Sequence, residues 1–226
     1  MTLRRVALLL VALVLAGCGE TRGHGTARLW VTRDRGAHVL YSGSVPAGLT
    51  ALQALERRLD VTTRYGGRFV QSIAGVEGSA SSEHDWFYFV NGVEAGRGAA
   101  EVRLRPGDVE WWDYRSWRGS GFHVPVVVGA FPEPFKHGFE WAKPGAQVAG
   151  GDPAVTRRLA RFVGGRVRAA AGRQAANQIL VRKDVPAGEA RIERHANGVR
   201  LVLGRTAARR LAADPAAFRY RYEVAG

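Results

Sequence analysis

Apolar and polar positions alternate, change period once, and alternate again along residues 27–118. Ala27-Arg28-Leu29-Trp30-Val31 alternates weakly and predicts a strand; Asp34-Arg35-Gly36 is a turn signal, and Ala37 to Val45 reads as the returning strand. Leu52, Leu55 and Leu59 then recur at i, i+3 and i+7, which predicts an amphipathic helix over 51–59. Thr50 and Gln53 stand at capping-box spacing just before it. Further strands are predicted over 68–73, 84–90, 93–95 and 109–115. Asn91-Gly92 favours a type I′ hairpin turn, because both central positions need positive φ. Arg105-Pro106-Gly107-Asp108 reads as a tight turn. A hairpin, one helix and more strands give a β-grasp-like α+β domain, with the helix on a sheet, over 27–118.

The second half reads differently. Val124 to Val128 is a short apolar run of the kind found in buried central strands. Pro132 and Pro134 exclude a helix after it, and Gly129 to Gly150 is long for a loop, so it is either mobile or functional. Phe131 and Phe135 are expected exposed or half-exposed there. Asp152-Pro153 is a helix start, with Val155, Leu159, Phe162 and Val163 as the apolar stripe. A strand over 177–184 would pair in parallel with the first one around that helix. Residues 189–195 and 199–203 flank Asn197-Gly198, a second hairpin signal. A short helix is expected over 206–213, before Pro215. Phe218, Tyr220, Tyr222 and Val224 alternate with polar residues and predict a last, half-buried strand. Residues 122–226 therefore read as a small basic α/β domain.

Upstream of both parts lies Arg4-Arg5, the unbroken apolar run Val6 to Leu15, and Leu15-Ala16-Gly17-Cys18. Ten apolar residues are too few to span a bilayer but suit the core of a secretory leader. The small residues before the chain's single Cys resemble a bacterial lipobox. That resemblance implies a signal peptide over 1–17, lipidation of Cys18, a tether over 18–26, and a protein anchored at the extracytoplasmic face of the cell membrane.

Charge sharpens the division. Lys+Arg number 33 against 20 Asp+Glu, a net charge of +13. Residues 19–118 carry 13 basic and 12 acidic side chains, whereas 119–226 carry 18 and 8. The asymmetry, with Gly119-Ser120-Gly121 at the junction, marks two domains. For an anchored extracytoplasmic protein, nucleic acid is not the expected partner. The excess is a solvated arginine surface or a face toward anionic lipid.

Several elements recur in a recognisable order: Gly48-Leu49-Thr50 with Leu52 and Ala54-Leu55; Phe69-Val70 with Ser72-Ile73 and Gly75; Trp86-Phe87-Tyr88-Phe89-Val90-Asn91-Gly92; and Leu104 with Pro106-Gly107-Asp108 and Trp112. Over residues 37–116 this resembles the transcobalamin-like C-terminal β-domain found in bacterial surface proteins and lipoproteins. In transcobalamins that domain covers one face of a corrinoid while a helical barrel holds the other. Residues 119–226 are too few, and not uniformly helical, to supply such a barrel.

Nine of the chain's aromatic residues crowd into 86–122, and period-two geometry places Trp86 with Tyr88, and Trp112 with Tyr114, on common faces. An aromatic sheet face is either an interdomain contact or a ligand platform. In the latter case Trp86, Tyr88, Asn91, Trp112, Tyr114 and Trp117 are the candidate contacts, with Phe131 to Trp141 as a candidate lid. Motifs for catalysis are lacking: there is no HExxH pair, no Gly-x-Ser-x-Gly elbow and no phosphate loop, and the one thiol belongs to the lipobox. No metal set is indicated. Two readings remain: a lipid-anchored binding protein for a small flat ligand, with a corrinoid as the candidate the resemblance implies and a membrane transporter as its partner, or a cell-envelope interaction module without a ligand.

Overall fold

The computed structural model describes residues 25–119, 122–172, 175–195 and 198–226. The leader, the lipobox with Cys18, and the turn residue Asn197 lie outside the described residues. In chain order the elements are β1 (Thr26–Arg33), β2 (His38–Pro46), α1 (Ala51–Glu56), β3 (Val61–Arg64), β4 (Phe69–Ile73), β5 (Val76–Glu77), β6 (His84–Val90), β7 (Val93–Glu94) and β8 (Val109–Ser116). A 3₁₀ turn at Val128–Ala130 precedes β9 (Gln147–Ala149), α2 (Pro153–Phe162), β10 (Arg166–Arg168), β11 (Gln178–Arg182), β12 (Ala190–His195), β13 (Gly198–Gly204) and α3 (Arg205–Ala213).

The α+β reading, a β-grasp-like domain followed by an α/β domain, is corrected by this layout. The molecule is mostly β, with strands in sheets of five, five and three, and its three α-helices are short: six, ten and nine residues. The sequence overstates helix because the turn past Glu56 is irregular: the Arg58 and Leu59 amides both bond to the Leu55 carbonyl, at i−3 and i−4, outside the regular α run. Thr50 and Gln53 do form the capping box, but α1 ends at Glu56, leaving Leu59 beyond it.

The first sheet runs β2-β1-β8-β6-β7, with β1 and β8 parallel and the other pairs antiparallel. Register sets its two faces. Leu29, Val31, Trp86, Trp112 and Val90 point to one side, where Ala51, Leu52 and Leu55 of α1 complete a core. Trp30, Phe89 and Trp111 point to the other and pack with Val127, Ala130 and Tyr222. The chain therefore returns from its far end to cover the second face.

That return is held by a buried carboxylate. Asp113 accepts hydrogen bonds from Thr32 Oγ1 (2.5 Å), the Gly36 and Arg35 amides (3.1 Å each) and Tyr222 Oη (2.9 Å). Burial raises its pKa, and the Thr32, Tyr222 and Gly36 donors oppose that rise. Tyr222 also meets Phe89 and Trp111 edge-on, each with centroids 5.5 Å apart.

The second sheet runs β10-β9-β11-β13-β12; all pairs are parallel except β12–β13. The expected parallel pairing around the Asp152-capped helix forms, but through β9 rather than Val124–Val128. Helices α2 and α3 pack against each other and against these strands, burying Thr156, Leu159, Ala160, Ala207, Ala208 and Leu211.

Three local expectations change. Val124–Val128 forms no strand: Val126, Val127 and Val128 are buried against the first sheet, Pro125 is exposed, and only Val126 makes a β-bridge, to Val93. Residues 218–224 form no strand: Tyr220 sits at φ 65, which breaks extended geometry, and only Val224 bridges, to Ala190. Phe131 and Phe135 are buried rather than exposed. Every hydrophobic core residue among those described lies between Ala27 and Tyr222. No helix among the described residues is long and apolar enough to cross a membrane.

Candidate functional site

The structure brings four of the six sequence-predicted contacts together. Trp86 opposes Tyr114 and Tyr88 opposes Trp112 across β6 and β8. Tyr88 stacks on Trp112 with centroids 4.7 Å apart and planes 18° from parallel; Trp86 and Tyr114 are 5.2 Å apart. This face is roofed. Trp86 Nε1 donates to the Val76 carbonyl (2.9 Å) and Tyr114 Oη to the Glu77 carbonyl (3.0 Å), so β5 lies across it. Trp86 and Trp112 are buried, whereas Tyr88 and Tyr114 are half-buried.

Asn91 is elsewhere and does other work. It occupies the hairpin turn at φ 53, beside Gly92 at φ 72, as the Asn-Gly signal requires. Fully buried, it donates to Asp108 Oδ1 (2.7 Å) and the Gly138 carbonyl (2.9 Å), and accepts from the Val109 amide (2.9 Å). It thereby ties the 131–141 segment to the first sheet. Trp117, half-buried past the end of β8, lies 6.1 Å from Phe122.

An accessible aromatic surface exists at the rim of that face rather than on it. β7 pairs only with Phe89 and Val90, so the outer edge of β6 from Asp85 to Tyr88 borders an open groove of about 370 Å³. Its lining takes in Trp86, Phe87 and Tyr88 of β6, which alternate between the sheet's faces, together with Phe69, Phe122 and Trp141. Its carboxylate, imidazole and guanidinium groups are Asp85, Glu94, His123 and Arg194. Arg194, from β12, lies over the Trp141 ring at 4.6 Å, so both five-stranded sheets contribute.

Burial raises the pKa of Asp85, countered by the Trp86 amide that donates to its Oδ1 (2.8 Å). Burial also raises that of Glu94, countered first by the Val124 amide (2.8 Å) and then by His123, whose Nδ1 stands 3.6 Å from Oε1. Such a groove can take a small apolar group against its aromatic lining and meet polar atoms on its rim with either charge. Among the described residues, no group of three His, Cys, Asp or Glu is placed to hold a metal ion.

Residues 48–116 match one family model, a domain of unknown function (DUF4430). The match falls inside the 37–116 stretch that carries the sequence resemblance. No curated protein matches the chain. Among solved structures, haptocorrin in complex with Cbi is similar to 41% of this chain and 25% of its own, at 16% identity and a TM-score of 0.35. A "putative metal binding protein" from Ruminococcus gnavus ATCC 29149 is similar over 41% of this chain and 97% of its own, at 12% identity and a TM-score of 0.32. The chain thus spans a quarter of the haptocorrin chain's length.

Sequence reasoning missed Phe69, Glu94, His123 and Arg194 as groove residues. They come from four separate segments, and no local pattern links them. The one available signal was Trp141 in an otherwise buried loop. The segment from Phe131 is not a free lid: Phe131, Phe135 and Phe139 are all core residues, and only Trp141 reaches the groove.

Proposed function

We propose that this chain is an extracytoplasmic binding protein, lipid-anchored through Cys18, that takes a small planar ligand in the groove along β6. The observation that carries the reading is the groove itself, about 370 Å³ with Trp86, Phe87, Tyr88, Phe122 and Trp141 in its lining. That volume lies at the lower end of the range for small-molecule sites, roughly 300–1,000 Å³. A corrin macrocycle with its amide arms is too large to sink into it and would rest on the aromatic rim. The corrinoid version is supported only by the sequence resemblance; the planar-ligand version is supported by the groove's chemistry. A transporter is the natural recipient of a ligand captured at the membrane.

Tryptophan quenching tests the ligand. Cobinamide and cobalamin are titrated into wild type and Trp141→Ala. The corrinoid reading expects quenching with a dissociation constant near micromolar, about −8 kcal/mol, weakened at least tenfold in the variant. No quenching well above micromolar would overturn the corrinoid version. Anchoring is tested separately by Cys18→Ser, which removes the thiol that must be alkylated. The variant is expected to lose labelled palmitate incorporation and to shift from the membrane fraction to an uncleaved precursor or a soluble form; incorporation equal to wild type would overturn it.

A further inference from the structure

Helices α2 and α3 lie side by side on the second sheet and contain neither Asp nor Glu. Their outer faces carry Arg157, Arg158, Arg161, Arg205, Arg209 and Arg210, all exposed. No ion pair among the described residues includes any of these six. The adjoining edge strand β10 adds exposed Arg166 and Arg168. Elsewhere many arginines are paired, as in Arg97 with Glu140, Arg182 with Asp184 and Arg200 with Glu193, or are interspersed with carboxylates, as Arg57 and Arg58 are between Glu56 and Asp60. The helix pair stands apart in carrying six arginines with no acidic residue on either helix.

We infer that this face of the α2–α3 pair docks on an anionic phospholipid surface. Packed helix axes stand roughly 8–10 Å apart, so six arginines in two rows present more charge than one phosphate neutralises. A plane of headgroups meets both rows at once. Guanidinium groups suit phosphate because they offer paired donors in a fixed fork. The attraction reaches across a Debye length, about 10 Å at 0.1 M salt.

Position agrees with charge. Arg28 and Trp30 at the start of the fold share one cleft with Pro215, Ala216 and Arg219, just past α3. The entry of the chain therefore lies beside the end of α3. Seven residues separate Cys18 from Thr26. The eight steps from one to the other, fully extended, reach no more than about 30 Å, so a lipid on Cys18 would keep the helix pair near the bilayer. The inference is independent of the groove, and docking does not require the lipid.

The test uses a chain beginning at Gly19, which keeps every described core residue. Flotation is measured with phosphatidylcholine vesicles and with an equal mixture of phosphatidylcholine and phosphatidylglycerol. Two triple variants of equal charge change are compared: Arg157→Glu/Arg158→Glu/Arg161→Glu on α2, and Arg57→Glu/Arg58→Glu/Arg68→Glu on the first sheet's side. Near-UV circular dichroism confirms that each is folded.

Wild type is expected to float only with the anionic vesicles and to be released in 1 M salt, where the Debye length is about 3 Å. Each basic residue near an anionic surface multiplies affinity roughly fivefold, so the α2 triple should bind on the order of a hundredfold more weakly or worse. The first-sheet triple should stay within a few-fold of wild type. Equal loss in both triples would show that net charge alone acts and would overturn the docking face. So would equal flotation with neutral vesicles, or α2-dependent binding to duplex DNA without binding to vesicles.

Discussion

Tyr222→Phe isolates the clasp by which the chain's far end covers the first sheet. The substitution keeps the ring, and with it the edge-on contacts to Phe89 and Trp111, and removes only the hydroxyl that donates to Asp113 at 2.9 Å. Asp113 keeps three donors, but its Oδ2 is left with the Arg35 amide alone. A hydrogen bond to a buried charged group contributes about 1.5–3 kcal/mol, and the surviving donors hold the loss to the lower part, about 1.5–2 kcal/mol. For a chain of this size each kcal/mol shifts the melting temperature roughly 2–4 °C, so a drop of about 3–8 °C is expected.

The loss should also depend on pH. Burial raises the folded pKa of Asp113 above its unfolded value, so the folded state binds the proton more tightly. Stability then falls as pH rises from the unfolded to the folded pKa, and the Tyr222 donor narrows that window by favouring the ionised form. Tyr222→Phe widens it, so the variant should lose more at about pH 7 than at about pH 4. Thermal melts of both proteins at the two pH values measure this. A variant indistinguishable from wild type at neutral pH, or a larger deficit at acid pH, would refute the clasp.

Two further expectations concern the core. Glu110 is fully buried, its Oε1 accepts from Trp112 Nε1 (2.5 Å), and burial holds its pKa well above the carboxylate range. A raised folded pKa costs stability as pH rises, so Glu110→Gln should gain on wild type between about pH 5 and pH 8 in urea titrations, and a parallel pH profile would contradict this. Asn91→Ala removes three buried hydrogen bonds at a positive-φ position and should cost about 2–4 kcal/mol, read from the urea midpoint; a cost under about 1 kcal/mol would contradict the tie between the hairpin and Gly138.

What the sequence made legible was local chemistry. Thr50 with Gln53, Asn91-Gly92, Arg105 to Asp108 and Asp152-Pro153 each specify a cap or turn through contacts within a few residues, and each forms. Long-range covering was not legible. Phe218 and Tyr222 alternate with arginines like a strand, yet they are buried by lying across another sheet while Tyr220 breaks the extension. Strands β3 and β10 went unseen because they are short and largely exposed, so burial imprints no pattern on them. The aromatic cluster was found, but not which rings are accessible. Roofing by β5 is a tertiary event, and the groove walls at Phe69, Trp141 and Arg194 come from segments far apart in the chain.

The central claim, a ligand groove along β6, is tested most directly by mapping where planar molecules bind. Amide and indole NMR shifts of the chain beginning at Gly19 are followed during titration with cobinamide and with a panel of small heteroaromatic compounds. The groove reading expects at least one compound to shift the Trp86 and Trp141 indole N–H signals and the Tyr88 amide. The Trp30 and Trp111 indoles, buried on the opposite face, should stay in place. Shifts confined to residues outside the groove, or none at millimolar compound, would contradict it.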